Sequence, residues 1–166
     1  MIYLKIASII GNCIEVGHEK EIIVDSYSHG LSQSLTMRPG NTERTTDGPQ
    51  FSEMNFSKTL DSSSPQLYAA CAGNKKLGLA TISVTRMEAD IPMMTIIYEL
   101  GDAMISNIST SGSGGGGLPN ESFSINYTTI TAKMTQQSPD STPKGVAPFG
   151  WDIKTGKPIG NSGAAS

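Results

Sequence analysis

Few residues in this sequence are placed to do chemistry, and they lie among segments that resemble strands. Glu21 and Asp25 would share one face of a strand, as a general acid and a general base could, but a solvated polar edge has the same pattern. His18 and His29 are the only histidines, whereas zinc usually needs three or four ligands. We therefore predict no catalytic residues, no metal site and no cofactor.

The two cysteines, Cys13 and Cys71, form no C-x-x-C pair. In a chain without an export signal, such lone thiols are expected to be reduced and partly buried. A catalytic thiol is the alternative, with only the two histidines available to serve it.

Four consecutive glycines, Gly114 to Gly117, could cradle a phosphate, join a hairpin or link two domains. A P-loop needs a Lys and a Ser or Thr after its glycines, at the start of a helix. Here Leu118, Pro119 and Asn120 follow, and then a strand pattern begins. The segments on either side are too short to be full domains. The run therefore predicts a hairpin loop.

The composition is neutral and rich in hydroxyl groups. Charged residues make up 16% of the 166 residues, below the usual quarter, while Ser and Thr total 36. This pattern indicates one domain of sheet whose polar faces carry little charge. The net charge is −3 and no basic stripe occurs, which argues against a nucleic-acid partner. No run of 18 apolar residues occurs, so we expect no membrane insertion, and the start lacks the pattern of a signal peptide.

Alternating apolar residues predict about seven strands. Ile2, Leu4 and Ile6 begin the first, and "EIIVDSYSHGLSQS" reads as the second, with a bulge or a close backbone approach at Gly30. "IPMMTIIYELGD" and "AMISNIST" read as separate strands. "ESFSINYTTITAKMTQQ" reads as one long strand whose apolar phase slips at a bulge, between Tyr127 and Ile130.

One short helix is predicted over "SSPQLYAACAG". Ser64 is its expected N-cap, Pro65 fits the first helical position, and Gly73 suits a left-handed stop. A helix of two turns must pack on a sheet or plug the end of a barrel to be stable. The predicted fold is therefore mainly β: a single-domain β-barrel of two packed antiparallel sheets, with one short α-helix and a long protruding loop.

The protruding loop and the C-terminal part are the irregular segments. "TMRPGNTERTTDGPQ" has two Pro, two Gly and no period, and loops of this length are usually functional or disordered. We expect residues 1–137 to form the barrel. Residues 138–166 read as a Pro- and Gly-rich extension in which Trp151 docks on the barrel and the end is free.

Five segments, taken in order, resemble one family: "EIIVDSYSHGLSQS", "FSKTLDSSSPQLYAAC", "YELGDAMISNISTSGSGGGG", "PNESFSINYTTI" and "GWDIKTGK". Together they are similar to the haemolysin-coregulated proteins, Hcp, the tube subunits of bacterial type VI secretion. The similarity runs from Ile2 to Lys157. Two positions depart from it, since Gly101 stands where many relatives carry an acidic residue and His29 where an aromatic or small residue is frequent.

The resemblance implies a structural subunit and not an enzyme. Barrel protomers would form hexameric rings that stack into a hollow tube resembling a phage tail tube. A contractile sheath would drive the tube and its spike protein, and small effectors would travel inside the ring. Such proteins reside in the bacterial cytoplasm before assembly and are secreted without a signal peptide. A phage-type tail tube protein is the first alternative, and a small β-barrel ligand-binding protein or enzyme is the second.

The same resemblance assigns ring stacking to the long loop after the second strand. Its charged side chains would pair across the interface between rings, and each exposed pair would contribute only about 0–1 kcal/mol. The predicted stacking residues are Met37, Arg38, Pro39, Gly40, Asn41, Thr42, Glu43, Arg44, Thr45, Thr46, Asp47, Gly48 and Pro49.

Overall fold

The computed structural model describes residues 1–37, 40, 44–88, 91–137 and 143–160, and it is almost entirely β. Within these ranges there are twelve strands and one helix. The elements are β1 (Ile2–Ile6), β2 (Ile22–Val24), β3 (Ser26–Ser28), β4 (Leu31–Met37), β5 (Arg44–Phe51), β6 (Met54–Thr59), α1 (Ser64–Ala72), β7 (Gly78–Glu88), β8 (Ile91–Ser111), β9 (Asn120–Asn126), β10 (Thr129–Gln137), β11 (Pro143–Asp152) and β12 (Lys157–Pro158).

Two antiparallel sheets share the long strand β8. Sheet A has the order β12-β11-β10-β8-β7-β1-β2, and sheet B has the order β3-β6-β9-β8. The first part of β8 pairs with β7 and β10, and the part after Asp102 pairs with β9. Asp102 has a φ of 52°, so the strand changes direction there. The predicted mainly β fold of two antiparallel sheets is confirmed, although the described strands do not close into a barrel.

The passage of the chain between the sheets explains three differences from the predicted strands. The two strands predicted around Gly101 are one strand of 21 residues. Conversely, the long strand predicted over 121–137 is two strands, because β9 belongs to sheet B and β10 to sheet A. The apolar phase therefore slips at a change of sheet and not at a bulge. The predicted second strand is likewise divided into β2, β3 and β4, and Gly30 lies in a break between two of them.

The core lies between the two sheets and under the helix. In β1 the predicted inward residues are buried, with Leu4 0% and Ile6 3% exposed, but Tyr3 is also buried at 2%, so the predicted half-buried alternation is not strict. Sheet B contributes Phe56 and Phe123, whose stacked rings lie 5.1 Å apart. Trp151 packs against this core from β11 and stacks on Phe51 at 6.4 Å.

The helix has its predicted place but different ends. Its N-cap is Ser63, whose side chain makes no capping hydrogen bond. The C-cap, Gly73, has a φ of −84°, and the left-handed residue is Asn74, with a φ of 49°. The predicted left-handed stop was thus one residue too early. Leu67 and Ala70 bury the inner face of the helix.

Candidate assembly surfaces

The open face of sheet B is lined by short uncharged polar side chains. In each strand of this sheet the apolar residues point into the core, so the intervening residues point outward. These outward residues line a shallow depression of about 320 Å³. We call this surface the hydroxyl face, and it consists of Ser26, Ser28, Asn55, Ser57, Asn107, Ser109, Ser122 and Ser124.

Strand register arranges the hydroxyl face in cross-strand rows. In one row Ser26 is opposite Ser57, and Ser57 is opposite Ser122. The Oγ atoms of Ser26 and Ser57 are 2.6 Å apart. In the next row Ser124 donates to Asn55 Oδ1 at 2.6 Å. These side chains bond to one another, so the face is smooth, neutral and without a protruding apolar group.

One carboxylate lies at each end of this face. Glu53, just before β6, accepts hydrogen bonds from Ser106 Oγ at 2.7 Å and from Asn126 Nδ2 at 3.2 Å. Asp25, between β2 and β3, accepts a longer bond of 3.4 Å from Thr59 Oγ1. The face is therefore neutral along its length and acidic at its two ends.

Sheet B has two free edges within the described residues. β3 pairs with β6 on one side, and β8 beyond residue 103 pairs with β9 on one side. No other described strand pairs with the outer side of either. Free strand edges expose unpaired N–H and C=O groups that can pair with another chain.

The segment predicted as the stacking loop is a hairpin and not an irregular loop. Its second half is β5, which pairs with β4 from Leu31 opposite Phe51 to Met37 opposite Arg44. Gly40 has a φ of +88°, whereas residues 38, 39 and 41–43 of the prediction lie outside the described residues. The hairpin pairs with neither large sheet, and Leu31 and Leu35 on β4 are about half exposed.

The missed hairpin has a physical cause. Gly48 and Pro49 in β5 are poor strand formers, and the pairing of β4 with β5 shifts register between Gln33 and Leu35. An isolated two-stranded ribbon is at best marginally stable in water. At its base, Phe51 packs against the core and stacks on Trp151.

The glycine run joins β8 to β9, which are antiparallel neighbours, so the predicted hairpin loop is confirmed. Gly116 has a φ of +87°, a conformation that favours glycine. A Cβ added at Gly114 or Gly117 would meet no protein atom within 4 Å, so close packing does not require glycine at these two positions.

The two carboxylates considered for chemistry, Glu21 and Asp25, are not brought together, although Glu21 lies beside His18. Glu21 is 8% exposed, and its Oε2 lies 2.8 Å from Nδ1 of His18, whose ring stacks on Tyr3 at 4.0 Å. Asp25 lies at the end of the hydroxyl face instead. His29 packs against Tyr98, and burial lowers its pKa.

The cysteines are free thiols, with Cys13 buried and Cys71 half-buried, as predicted. Among the described residues, no group of three or more His, Cys, Asp or Glu side chains could hold a metal ion. In the same part of the chain, no helix has the length and hydropathy needed to cross a bilayer.

Sequence analysis missed a buried ionic cluster that fastens α1 to sheet B. Lys58 on β6 and Glu121 on β9 are both 0% exposed, and Lys58 Nζ lies 2.9 Å from Glu121 Oε2. The same Nζ lies 2.7 Å from Asp61 Oδ1 and donates to Ser64 Oγ at 3.0 Å. Ser64 in turn donates to Glu121 Oε2 at 2.8 Å. We call Lys58, Asp61, Ser64 and Glu121 the ionic cluster.

The cluster is structural rather than catalytic in form. A serine beside a lysine can act as a nucleophile and base, but Lys58 is held between two carboxylates, and Ser64 is 3% exposed. Burial alone would raise the pKa of Asp61, yet hydrogen bonds from Lys58 and Ser63 and the charge of Lys58 hold it below its usual value. Substrate could not reach the serine without opening the core.

A weak signal for this cluster was present in the sequence. Lys58 and Glu121 fall at positions where the strand alternation calls for a buried residue, because each lies two residues from a buried phenylalanine, Phe56 and Phe123 respectively. Charged residues are almost never fully buried unless they are paired. A lysine and a glutamate at inward positions of two strands therefore predict a buried ion pair. The prediction can be made only when the two strands are known to be neighbours.

The class of protein follows from comparison with solved structures. A structure described as that of a type six secretion system protein superposes with a TM-score of 0.86, covering 95% of this chain and 98% of its own at 22% identity. Hcp1 from Salmonella typhimurium superposes with a TM-score of 0.74, covering 95% and 97% at 25% identity. The two-sheet architecture is thus that of type VI secretion proteins.

The family follows from the sequence. The family model described as "Type VI secretion system effector, Hcp" matches residues 3–134, and the chain belongs to the Hcp family. Protein hcp1 of Pseudomonas aeruginosa is 27% identical over 103 residues, which span 61% of this chain and 64% of that relative. The family is one of structural tube proteins rather than enzymes. The anti-feeding prophage baseplate shares the fold alone, at 11% identity and a TM-score of 0.51.

Proposed function

We propose that this protein is the tube subunit of a type VI secretion system, that its copies close into hexameric rings, and that the rings stack into a hollow tube. The observation that carries the proposal is the pair of free edges on sheet B. If β3 of one copy pairs with the free side of β8 in the next, the interface is head-to-tail. Such an interface generates a ring when the rotation closes.

Closure of the ring in this way would turn the hydroxyl face toward a central channel. Each copy would contribute the four strands of sheet B to one continuous wall without free edges. Short hydroxyl and amide groups already bonded to each other would adhere weakly to a passing polypeptide. A channel of this kind suits the carrying and release of small effectors, with sheath and spike proteins as the other partners of the tube.

The hairpin of β4 and β5 is the proposed contact between stacked rings, as the resemblance implied for Met37 to Pro49. Its separation from both sheets and its half-exposed Leu31 and Leu35 support this assignment. The neighbouring ring would then supply the contacts that a two-stranded ribbon lacks. The protein would be secreted with the tube after assembly in the bacterial cytoplasm.

Amide hydrogen exchange tests the proposed ring interface. Exchange is followed at high protein concentration and after dilution to monomer, and the two protection maps are compared. Amides of Ser26–Ser28 and of residues 104–111 are expected to gain protection at high concentration because they acquire strand partners. The edge strand β2 of sheet A serves as the internal control. If amide protection is unchanged in β3 and β8 but increases in other strands, the ring closes through other edges.

A further inference from the structure

The charge of the hydroxyl face is set by its two ends. Glu53 is fixed at one end by hydrogen bonds from Ser106 and Asn126, and Asp25 lies at the other end, beside Thr59. Both carboxylates belong to exposed or half-buried residues. Between them, the residues that line the face are all serines and asparagines apart from two phenylalanines beneath them.

No basic side chain is among the described residues that line the face. Lys58 belongs to the same sheet, but it points into the core and is already paired with Asp61 and Glu121. The residues that line the face include, in the described part of the chain, no lysine and no arginine. The two charged groups placed beside them, Glu53 and Asp25, are both negative.

We infer that this surface selects its partners by charge, favouring basic polypeptide segments over acidic ones. The inference rests on the proposed function, because closure of the ring brings one Glu53 from every copy to one mouth of the channel and one Asp25 to the other. A narrow opening lined by charges of one sign focuses the field and concentrates ligands of opposite charge. The neutral rows between the mouths bond to any polypeptide alike and add no discrimination.

The two carboxylates are expected to attract a basic partner with different strength, because they are held by different hydrogen bonds. Glu53 is held by two hydrogen bonds, so little side-chain freedom is lost when a lysine or arginine of the partner approaches it. Asp25 accepts one long bond from a side chain and is the freer of the two. Selection is expected to be stronger at the Glu53 mouth.

The test uses assembled rings and three labelled peptides of equal length. The peptides share a Gly-Ser backbone and carry Lys, Gln or Glu at the same four positions, and binding is measured by fluorescence anisotropy. At about 0.02 M salt the Lys peptide is expected to bind about tenfold more tightly than the Glu peptide, and the difference should disappear at about 0.5 M salt, where screening is short-ranged. The Gln peptide should fall between them.

Variants assign the effect to the proposed carboxylates. Glu53→Gln should reduce the Lys-over-Glu preference most, and Asp25→Asn should reduce it less. Glu19→Gln removes one exposed charge in the β1–β2 connection, away from the hydroxyl face, and should leave the preference unchanged. If assembled rings bind the three peptides with equal affinity, or bind none of them, the inferred charge selection is wrong, whereas the proposed ring is not affected. An equal effect of Glu19→Gln would also overturn the charge selection, and absence of rings would overturn both proposals.

Discussion

Replacing Lys58 by methionine should strongly destabilise the fold. The variant removes the cation that lies 2.9 Å from Glu121 Oε2 and 2.7 Å from Asp61 Oδ1, while both side chains of the Lys58–Glu121 pair are 0% exposed. Glu121 Oε1 already has no hydrogen-bond partner in the described part of the chain. Breaking one partner of a buried ion pair costs about 3–5 kcal/mol, because the remaining charge is uncompensated.

The magnitude is measurable by urea and thermal unfolding. For a chain of this size each kcal/mol shifts the melting temperature by about 2–4 °C, so the loss should be roughly 6–20 °C. Lys5→Met is the matched control, since Lys5 is exposed on β1 and its replacement should change the free energy of unfolding by less than about 0.5 kcal/mol.

A double-mutant cycle separates charge from packing. In Lys58→Met with Glu121→Leu, no buried acid is left without a partner at this pair, so much of the lost stability should return. If the double variant is no more stable than Lys58→Met, the loss arises from packing of the lysine stem. A single variant as stable as Lys5→Met would refute the assignment of the ionic cluster.

Three other outcomes are expected. Gly11→Ala should destabilise by about 1–3 kcal/mol or more, because its Cβ would lie 2.2 Å from the carbonyl oxygen of Glu21, whereas Gly117→Ala should be nearly neutral in the same urea titration. Asp61, whose pKa is lowered in the fold, stabilises above about pH 4 and loses this contribution as the pH falls further, so Asp61→Asn should be less stable than wild type at pH 7 and the gap should narrow at pH 3. Deleting residues 38–47 should leave rings intact by light scattering and abolish stacks in micrographs; persistent tubes would show that stacking uses another surface.

Local patterns predicted much of the fold. Alternation in β1, β7 and β9 gave the strands and their buried faces, and the position of Pro65 gave the helix. The residues of β8 around Gly101 are compatible with two arrangements. One is a single strand that crosses from one sheet to the other, and the other is two strands joined by a turn. The division of β9 from β10 has the same origin, since only the pairing partners reveal that the chain has changed sheet.

The candidate surfaces were harder to predict because they depend on register. The excess of serine and threonine indicated neutral sheet faces, but the rows of the hydroxyl face form only when β3, β6, β9 and β8 are aligned. The ionic cluster likewise needs Lys58 and Glu121 to be opposite each other on neighbouring strands. Long-range pairing is the information that residue types and spacing do not contain.

The most direct test of the account is the mass of the assembled protein, measured by size-exclusion chromatography with light scattering and checked by negative-stain microscopy. The account predicts particles of several times 17.5 kDa that appear as rings with a central channel. Isolated 17.5 kDa particles at every concentration, with no rings in the micrographs, would contradict it.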